Sequence, residues 1–444
     1  MERYANNATT TITAALDNVV TVIPVASASG FPTLGIFRIV IDNEIMEVNS
    51  VSGLNFTVTR GREGTANVAH SNGATVGAVL TSAGLQSAFN YCQGRLTITS
   101  GLPVGTANSS NTRIYFTPYQ GNRISLYNGN TWDIYAFTEL QNIPTIKAGM
   151  LYDVFITCPS GPMTSNPSLI VTPWAATQSA GTITAATNAS PINITTSSPI
   201  GVSNGNLVLI TGVGGNTAAN NFIWVASGVS GNSFNLSNST GNGAYTSGGV
   251  AAIVPTARDT NLAYQDGVLS YSGDYRQRYL GTIMANYNAN FEDSESRRFI
   301  WNYQNRVRRH LRRIEPAANW TYGVIQGRFA NNNPANRVEI CIGGSTAEVT
   351  VDLTLHVNIL MGAAQADAQH YFGVDGITQN PNQLGVTAFN PANAVGEHRT
   401  QYAFQPSFGY HFIQWVESSV AGNPMTVYGS SGNTFSGILG YIDC

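Results

Sequence analysis

Between residues 175 and 254 the chain carries almost no charge, and glycine or asparagine turns interrupt its apolar segments roughly every 8–12 residues. The stretch reads PINITTSSPIGVSNGNLVLITGVGGNTAANNFIWVASGVSGNSFNLSNSTGNGAYTSGGV. Glycine and asparagine are poor helix formers but good turn formers, and the Val, Ile, Thr and Phe between them favour extended backbone. The pattern therefore predicts short strands joined by tight turns. Gly212, Gly214 and Gly215 invite comparison with a phosphate-binding loop. No lysine follows them and the next element is a strand, Phe222–Ala226, so that reading fails.

The same bias extends along the whole chain. Only 10% of the residues are charged, against about 25% in an average soluble protein. Asn, Thr, Ser and 45 glycines take their place. The composition predicts a mainly β protein with a neutral, hydrogen-bonding surface of the kind found on fibres, spikes and sugar-binding modules. At 444 residues several small domains are expected. A formal net charge of −3 offers no general attraction to nucleic acid or anionic membrane. Cys92, Cys158, Cys341 and Cys444 are far apart and form no CxxC pair, so they read as buried free thiols. No cofactor is expected. The polar start MERYANNATTTITAA does not read as a signal peptide, and no apolar run approaches the ~20 residues of a membrane span. These features predict a soluble product of the cytoplasm that leaves by lysis or as part of a particle.

Residues 15–82 predict a β-unit with strands at Val19–Val25, Phe37–Val48 and Phe56–Arg60. On one strand over 37–48, Asp42 and Glu44 would share a half-solvated face about 7 Å apart. Such a pair suits general acid–base work, and it also suits an ordinary wet strand. Arg62 and Glu63, between Gly61 and Gly64, read as a local loop clamp. These residues resemble a module of phage tail-fibre and other virion proteins. The resemblance rests on Gly30-Phe31-Pro32, Asp42, Glu44, Met46 and Val48, on the run Val58 to Thr65, and on His70 with Gly73-Ala74-Thr75-Val76. It implies membership of a virion and no particular reaction.

Residues 92–173 are rich in aromatics, and Asn128-Gly129 predicts a hairpin. Tyr119, Tyr127 and Trp132 are candidate glycan-facing aromatics, with cross-strand packing as the alternative. The uncharged stretch resembles a small β-barrel of phage and bacterial surface proteins, related to the first-catalytic-cysteine-half domain of ubiquitin-activating enzymes. Ile194 to Val202, Ile210 to Asn220 and Ser233 to Gly249 carry that likeness. Beyond it, Asp266-Gly267, Arg278 to Thr282, Asp293-Ser294 and Arg298 to Arg306 resemble a second phage-virion pattern. TPYQGNRISLYNGNTWDIY upstream belongs to that pattern too, so the flanks read as two halves of one domain.

One helix is expected, over 291–314. Asp293 or Ser294 caps it, and Phe299, Tyr303, Val307, Leu311 and Ile314 form its apolar stripe. Arg297, Arg298, Arg306, Arg308, Arg309, Arg312 and Arg313 occupy the remainder. They read as a salt-bridged or solvated face, as a contact to an acidic neighbouring subunit, or as a nucleic-acid surface. The last would need a wider basic surface than this chain offers. The assembly contact is the site the sequence nominates. In the C-terminal part, strands are expected at Arg337–Ile342, Glu348–Ile359, His411–Ser418 and Thr426–Tyr428. His356, His370, His398 and His411 show no metal-ligand spacing, and no G-x-S-x-G nucleophile motif is present.

The expected organisation is an N-terminal β anchor for virion attachment over 1–90, a split middle β-domain over 91–174 and 255–315, an inserted β-barrel over 175–254, and a C-terminal β-sandwich of jelly-roll type over 316–444. The expected role is that of a bacteriophage virion structural protein of the particle exterior, a tail fibre, head fibre, spike or capsid decoration, without catalysis. Its expected partners are other virion proteins (capsid, portal or adaptor, or tail components), copies of itself, as a trimer, and host-surface glycan. A tailspike-type glycan hydrolase or a carbohydrate-binding module is the alternative.

Overall fold

The computed structural model describes residues 3–81, 84, 91–106, 108–158, 167–344, 349–362, 367–389, 395–419, 424–430 and 435–444. Strands account for nearly all its regular structure, with two single 3-10 turns at Thr217–Ala219 and Ala330–Asn332. No α-helix appears among the described elements, nor any helix long and apolar enough to cross a membrane.

The helix expected over 291–314 is therefore corrected. That stretch forms four strands, Phe291–Asp293, Arg297–Arg298, Ile300–Asn302 and Arg308–Ile314. A spacing of four is close to one helical turn, but it is also an even number, so it keeps residues on one face of a strand. Along Arg308–Ile314, Arg309 and Leu311 point inward while Arg308, His310 and Arg312 point out. Pairing distant in sequence decides the matter. Arg308–Ile314 runs antiparallel to the last strand, Gly437–Asp443, and Arg297–Arg298 runs parallel to Glu339–Ile340.

The N-terminal six-stranded sheet contains Thr9–Thr11, Val22–Pro24, Phe37–Ile41, Glu44–Ser52, Asn55–Arg62 and Thr75–Ala78. Here the single strand expected over 37–48 is also corrected. Asp42 and Asn43 form a two-residue hairpin turn, with Ile41 opposite Glu44 and Asp42 at a φ of 51°. Such turns favour Asp and Asn because both tolerate positive φ.

The uncharged stretch closes into a six-stranded barrel. Its order is Ala180–Ala186, Ile192–Thr196, Ser233–Leu236, Phe222–Ser230, Leu207–Thr211 and Val250–Ile253. Ile192, Ile194, Val208, Ile210, Trp224, Phe234 and Leu236 fill its interior. Gly212, Gly214 and Gly215 pack against the 244–249 turn. A Cβ on Gly215 would stand 1.9 Å from the Ala244 carbonyl oxygen, so no other residue fits. The first and last strands pair, Ala180 with Ala252. Leu207, Leu209 and Ile223 point out of the barrel into a cluster with Trp174, Met284 and Phe412.

Two large sheets enclose the main core. One contains Ser109–Asn111, Phe291–Asp293, Arg297–Arg298, Arg337–Ile342, Gly409–Ser419, Asp367–Val374 and Thr387–Phe389, with Arg328–Phe329 at its side. The other contains Arg308–Ile314, Gly437–Asp443, Val351–Met361, Met425–Tyr428 and Asn319–Tyr322, with Val395–Phe404 pairing Val351–Met361. Val338, Ile340, Ile413 and Trp415 from the first meet Val351 to Ile359, Val427 and Ile438 from the second. Both sheets cross the boundary expected at 315/316. The strand expected from Glu348 is described from Val351, and residue 348 itself lies outside the described residues. The four cysteines are free, with Cys158, Cys341 and Cys444 buried.

Candidate functional site

Five residues of the N-terminal resemblance, Asp42, Glu44, Arg60, Gly61 and His70, converge on one buried ion cluster. Glu44 and the Arg60 side chain are almost completely shielded from solvent. Arg60 Nε and Nη2 donate to the two Glu44 oxygens at 2.7 Å each. The backbone N–H groups of Gly61 and Val68 donate to the same carboxylate at 3.0 and 3.1 Å. His70 lies between two acids, with Nδ1 2.7 Å from Asp42 and Nε2 2.9 Å from Glu44. Arg60 Nη1 reaches the carbonyls of Asp17 and Val20. Burial alone would raise the Glu44 pKa, but Arg60, the Val68 N–H, His70 and the Gly61 N–H hold it down to about 2. The cluster thus ties a hairpin to two loops. It leaves Glu44 with no free lone pair for general acid–base work. Arg62 and Glu63 do clamp, though not each other: Arg62 reaches Glu47, and Glu63 accepts from Arg38.

The seven nominated arginines are dispersed. Arg298 and Arg309 are buried and both pair with Asp293, at 2.7 and 2.9 Å. Arg297 pairs with Glu339 at 3.0 Å and lies 3.6 Å from Glu292. Burial would raise the Glu339 pKa, yet Arg337, Arg297 and Tyr410 hold it down to about 2. Arg306 stacks over Trp301, and half-buried Arg313 lies near Glu315. Arg308 and Arg312 stay on the outside, their side chains 71% and 53% exposed. Their contacts to Asp443 and Glu295 are long, at 3.5 and 3.7 Å.

Those two arginines mark the outer face of the Val351–Met361 sheet. Strand parity puts His310 beside Tyr441 and Arg312 beside Leu439, and Tyr441 and Leu439 are both exposed. On the next strands His356 stands opposite Arg399, and Asn358 opposite Glu397. His356 Nδ1 lies 3.0 Å from Glu397, and Arg399 donates to the same oxygen at 2.7 Å. His356, Asn358, Glu397, Leu439 and exposed Phe435 line a groove of about 290 Å³ on this face. Nothing in the residue spacing marks the groove, because its walls come from strands separated by some 40 residues or more along the chain.

The aromatic candidates separate as well. Trp132 is buried and donates through Nε1 to Asp266 at 3.0 Å. Tyr127 packs against it with ring centroids 5.5 Å apart, while Tyr119 remains exposed. Of the histidines, His370 and His398 are buried side by side, His356 lines the groove, and His411 bonds to Asp375.

No protein-family model matches the chain, and no curated protein matches it. Among solved structures, the chain is similar to the insecticidal delta-endotoxin Cry8Ea1 from Bacillus thuringiensis. The identity is 8% over 79% of this chain and 52% of that chain, with a TM-score of 0.18. It spans about half the length of the toxin chain. The infectious bursal disease virus Gx strain structure gives 11% identity over 77% of each chain, with a TM-score of 0.16. Likeness at that level sets neither fold nor function.

Proposed function

We propose that the chain is a bacteriophage virion structural protein of the particle exterior, a fibre, spike or decoration of jelly-roll build, that assembles as a trimer. One observation supports this reading above the rest. A chain poor in charge draws many of its ions inside as staples between strands, yet leaves Arg308 and Arg312 poorly engaged on a broad outer sheet face. Exposed Leu439 and Tyr441 lie between them and the next strand. That face sets guanidinium forks beside exposed carboxylates (Glu295, Asp443, Glu397), so its basic part can meet the acidic part of a neighbouring copy, a head-to-tail contact of the kind that closes a three-membered ring. Copies of the chain are the occupant, and capsid, portal or tail proteins are the further partners of the particle.

Light scattering on the purified chain tests the assembly. A trimer is expected, weakened by Arg308→Ala with Arg312→Ala while each monomer stays folded. A monomer at tens of micromolar, or a trimer indifferent to both substitutions at low and high salt, overturns it. The particle itself is tested by electron microscopy with gold-labelled antiserum against the chain. Labelled virions support the reading; purified particles lacking the chain by mass spectrometry refute it.

A specific observation favours a second reading, adhesion to host-surface glycan. The groove combines a carboxylate, an amide, an imidazole and an exposed ring, groups suited to sugar hydroxyls and to the apolar face of a pyranose. Binding on a glycan array that Glu397→Gln abolishes supports it, and an unchanged array profile in that variant removes it.

A further inference from the structure

A different corner of the same fold holds a serine, a histidine and an aspartate in series. Asp375 follows the strand Asp367–Val374 at a turn, with φ 50°. Its backbone N–H donates to the Phe412 carbonyl at 2.9 Å, and its Oδ1 accepts the Phe412 N–H at 3.0 Å. The carboxylate is thereby clamped. Its other oxygen, Oδ2, lies 2.7 Å from His411 Nδ1. On the opposite side of the ring, His411 Nε2 lies 3.1 Å from the hydroxyl of Ser407, which is exposed in the turn leading into the strand Gly409–Ser419. The next side chain, Phe408, is also exposed, and the Arg258 guanidinium lies 5.9 Å from its ring centre.

The proton placement follows from the acceptors. An ionised Asp375 requires the proton on Nδ1, which leaves a lone pair on Nε2 for the Ser407 hydroxyl to donate to. Nε2 also lies 3.1 Å from the Ser407 carbonyl oxygen. That oxygen is an acceptor for the Nε2–H once the ring has taken a proton. Burial lowers the affinity of His411 for protons, but the hydrogen bond and charge of Asp375 more than reverse this. This order of groups is that of an activated serine nucleophile.

We propose that Ser407, His411 and Asp375 form a hydrolytic site for short acyl esters, an activity additional to a structural role in a particle. Ser407 Oγ attacks the ester carbonyl carbon while His411 Nε2 takes the hydroxyl proton, and a C–O bond forms. The intermediate collapses, the C–O bond to the alcohol breaks, and His411 returns the proton to the departing alkoxide. Water then attacks the acyl-serine, giving a proton to Nε2. The Oγ–acyl bond breaks, Oγ regains the proton, and a carboxylic acid leaves. The net reaction is ester plus water to acid plus alcohol. Phe408 offers one exposed ring next to the serine, apolar contact for a short acyl group, while the Arg258 guanidinium, 5.9 Å from that ring, is held by Asp153. Asp375 is a positioning residue.

The test uses the full chain with a fluorophosphonate probe and with p-nitrophenyl acetate, butyrate and octanoate. One label is expected, on the peptide carrying Ser407, with acetate and butyrate hydrolysed faster than octanoate. Ser407→Ala, on an exposed side chain, is expected to retain its melting temperature and lose the label. Loss of a triad member typically lowers turnover by about 10³-fold or more, and the same is expected here. The wild-type rate should rise as pH rises through the His411 pKa. Asp375→Asn should lower the rate and move that inflection to lower pH, a change that mere loss of a turn anchor would not produce. A folded Ser407→Ala chain that hydrolyses the esters as fast as wild type, or a probe that never labels Ser407, overturns the proposal. Neither result bears on whether the chain belongs to a particle.

Discussion

Replacing Glu44 with glutamine keeps its shape and removes the charge on which the N-terminal ion cluster depends. The carboxylate is fully buried and takes five hydrogen bonds, two of them from Arg60. Its pKa falls from 4.5 to about 2 on folding. At about 1.4 kcal/mol per pH unit, that difference is worth roughly 3 kcal/mol. Independently, removing one partner of a buried pair costs about 3–5 kcal/mol, because the other charge remains desolvated. The two routes agree near 3 kcal/mol, or about a hundredfold in an equilibrium. Hydrogen exchange on the full chain reads this directly. Amides of Glu44–Ser52 and Asn55–Arg62 should exchange about a hundredfold faster in Glu44→Gln, and those of the barrel strand Ile192–Thr196 should not change. The sign with pH follows from the depressed pKa. The stabilisation is complete above 4.5 and disappears as pH falls toward about 2, so wild type loses protection there and the variant does not. Acceleration below tenfold, or equal acceleration in the barrel, would show that the cluster is not what holds this sheet.

Three further outcomes follow from the packing. Arg337 is sandwiched between Phe222 of the barrel and Phe412 of the body and donates to the Ile223 carbonyl at 3.0 Å. Arg337→Ala should cost about 3 kcal/mol and open the barrel–body seam to limited proteolysis, and an unchanged digestion pattern would contradict that. Burial, and then each other's proximity, pushes His370 well below 6.5, and burial lowers His398 too. Their stabilisation is complete above pH 6.5 and is lost as pH falls below it, at up to about 1.4 kcal/mol per unit per ring. His370→Phe should flatten the melting temperature between pH 6.5 and 5, and a slope equal to wild type would count against a neutral pair. Trp132→Ala should destabilise the Arg123–Tyr127 and Trp132–Ala136 hairpin by about 3–5 kcal/mol without changing glycan binding, as a buried ring would.

The local parts of the fold were legible because turn chemistry is local. Asp266-Gly267 turns the chain between Leu262–Gln265 and Val268–Tyr271, with φ of 51° and 83°. Arg337–Ile342 appears at the expected bounds, and the Asn128-Gly129 ribbon forms. The partners of each strand were not legible. Glu44 meets Arg60 across 16 positions and His70 across 26, and Asp375 meets His411 across 36. Spacing alone marks such residues as letters of a motif and cannot bring them together. A metal-ligand reading of His411 can be checked from sequence because that chemistry has a short spacing rule. A serine four residues before a histidine, with its acid on another strand, has none.

Scarcity of charge sharpens what a charged letter means in this chain. In an average protein a cluster of arginines reads first as a solvated face, because such faces are abundant. Here charged residues are 10% of the sequence, and the uncharged surface is already satisfied by hydroxyl and amide groups. An ion in such a chain commonly serves the interior: Arg60 with Glu44, Arg298 and Arg309 with Asp293, Arg297 with Glu339, and Arg258 with Asp153. Buried pairs of this kind add little net stability over an apolar core, but they penalise any register that separates them. For β-sheets that specificity matters, since a slip of one residue turns each strand over. The same parity decides which arginines stay exposed. On Arg308–Ile314 one residue's difference in position sends Arg309 inward to Asp293 and leaves Arg308 in solvent. Helical spacing would have grouped the seven on one surface, whereas strand parity divides them into buried staples and exposed side chains.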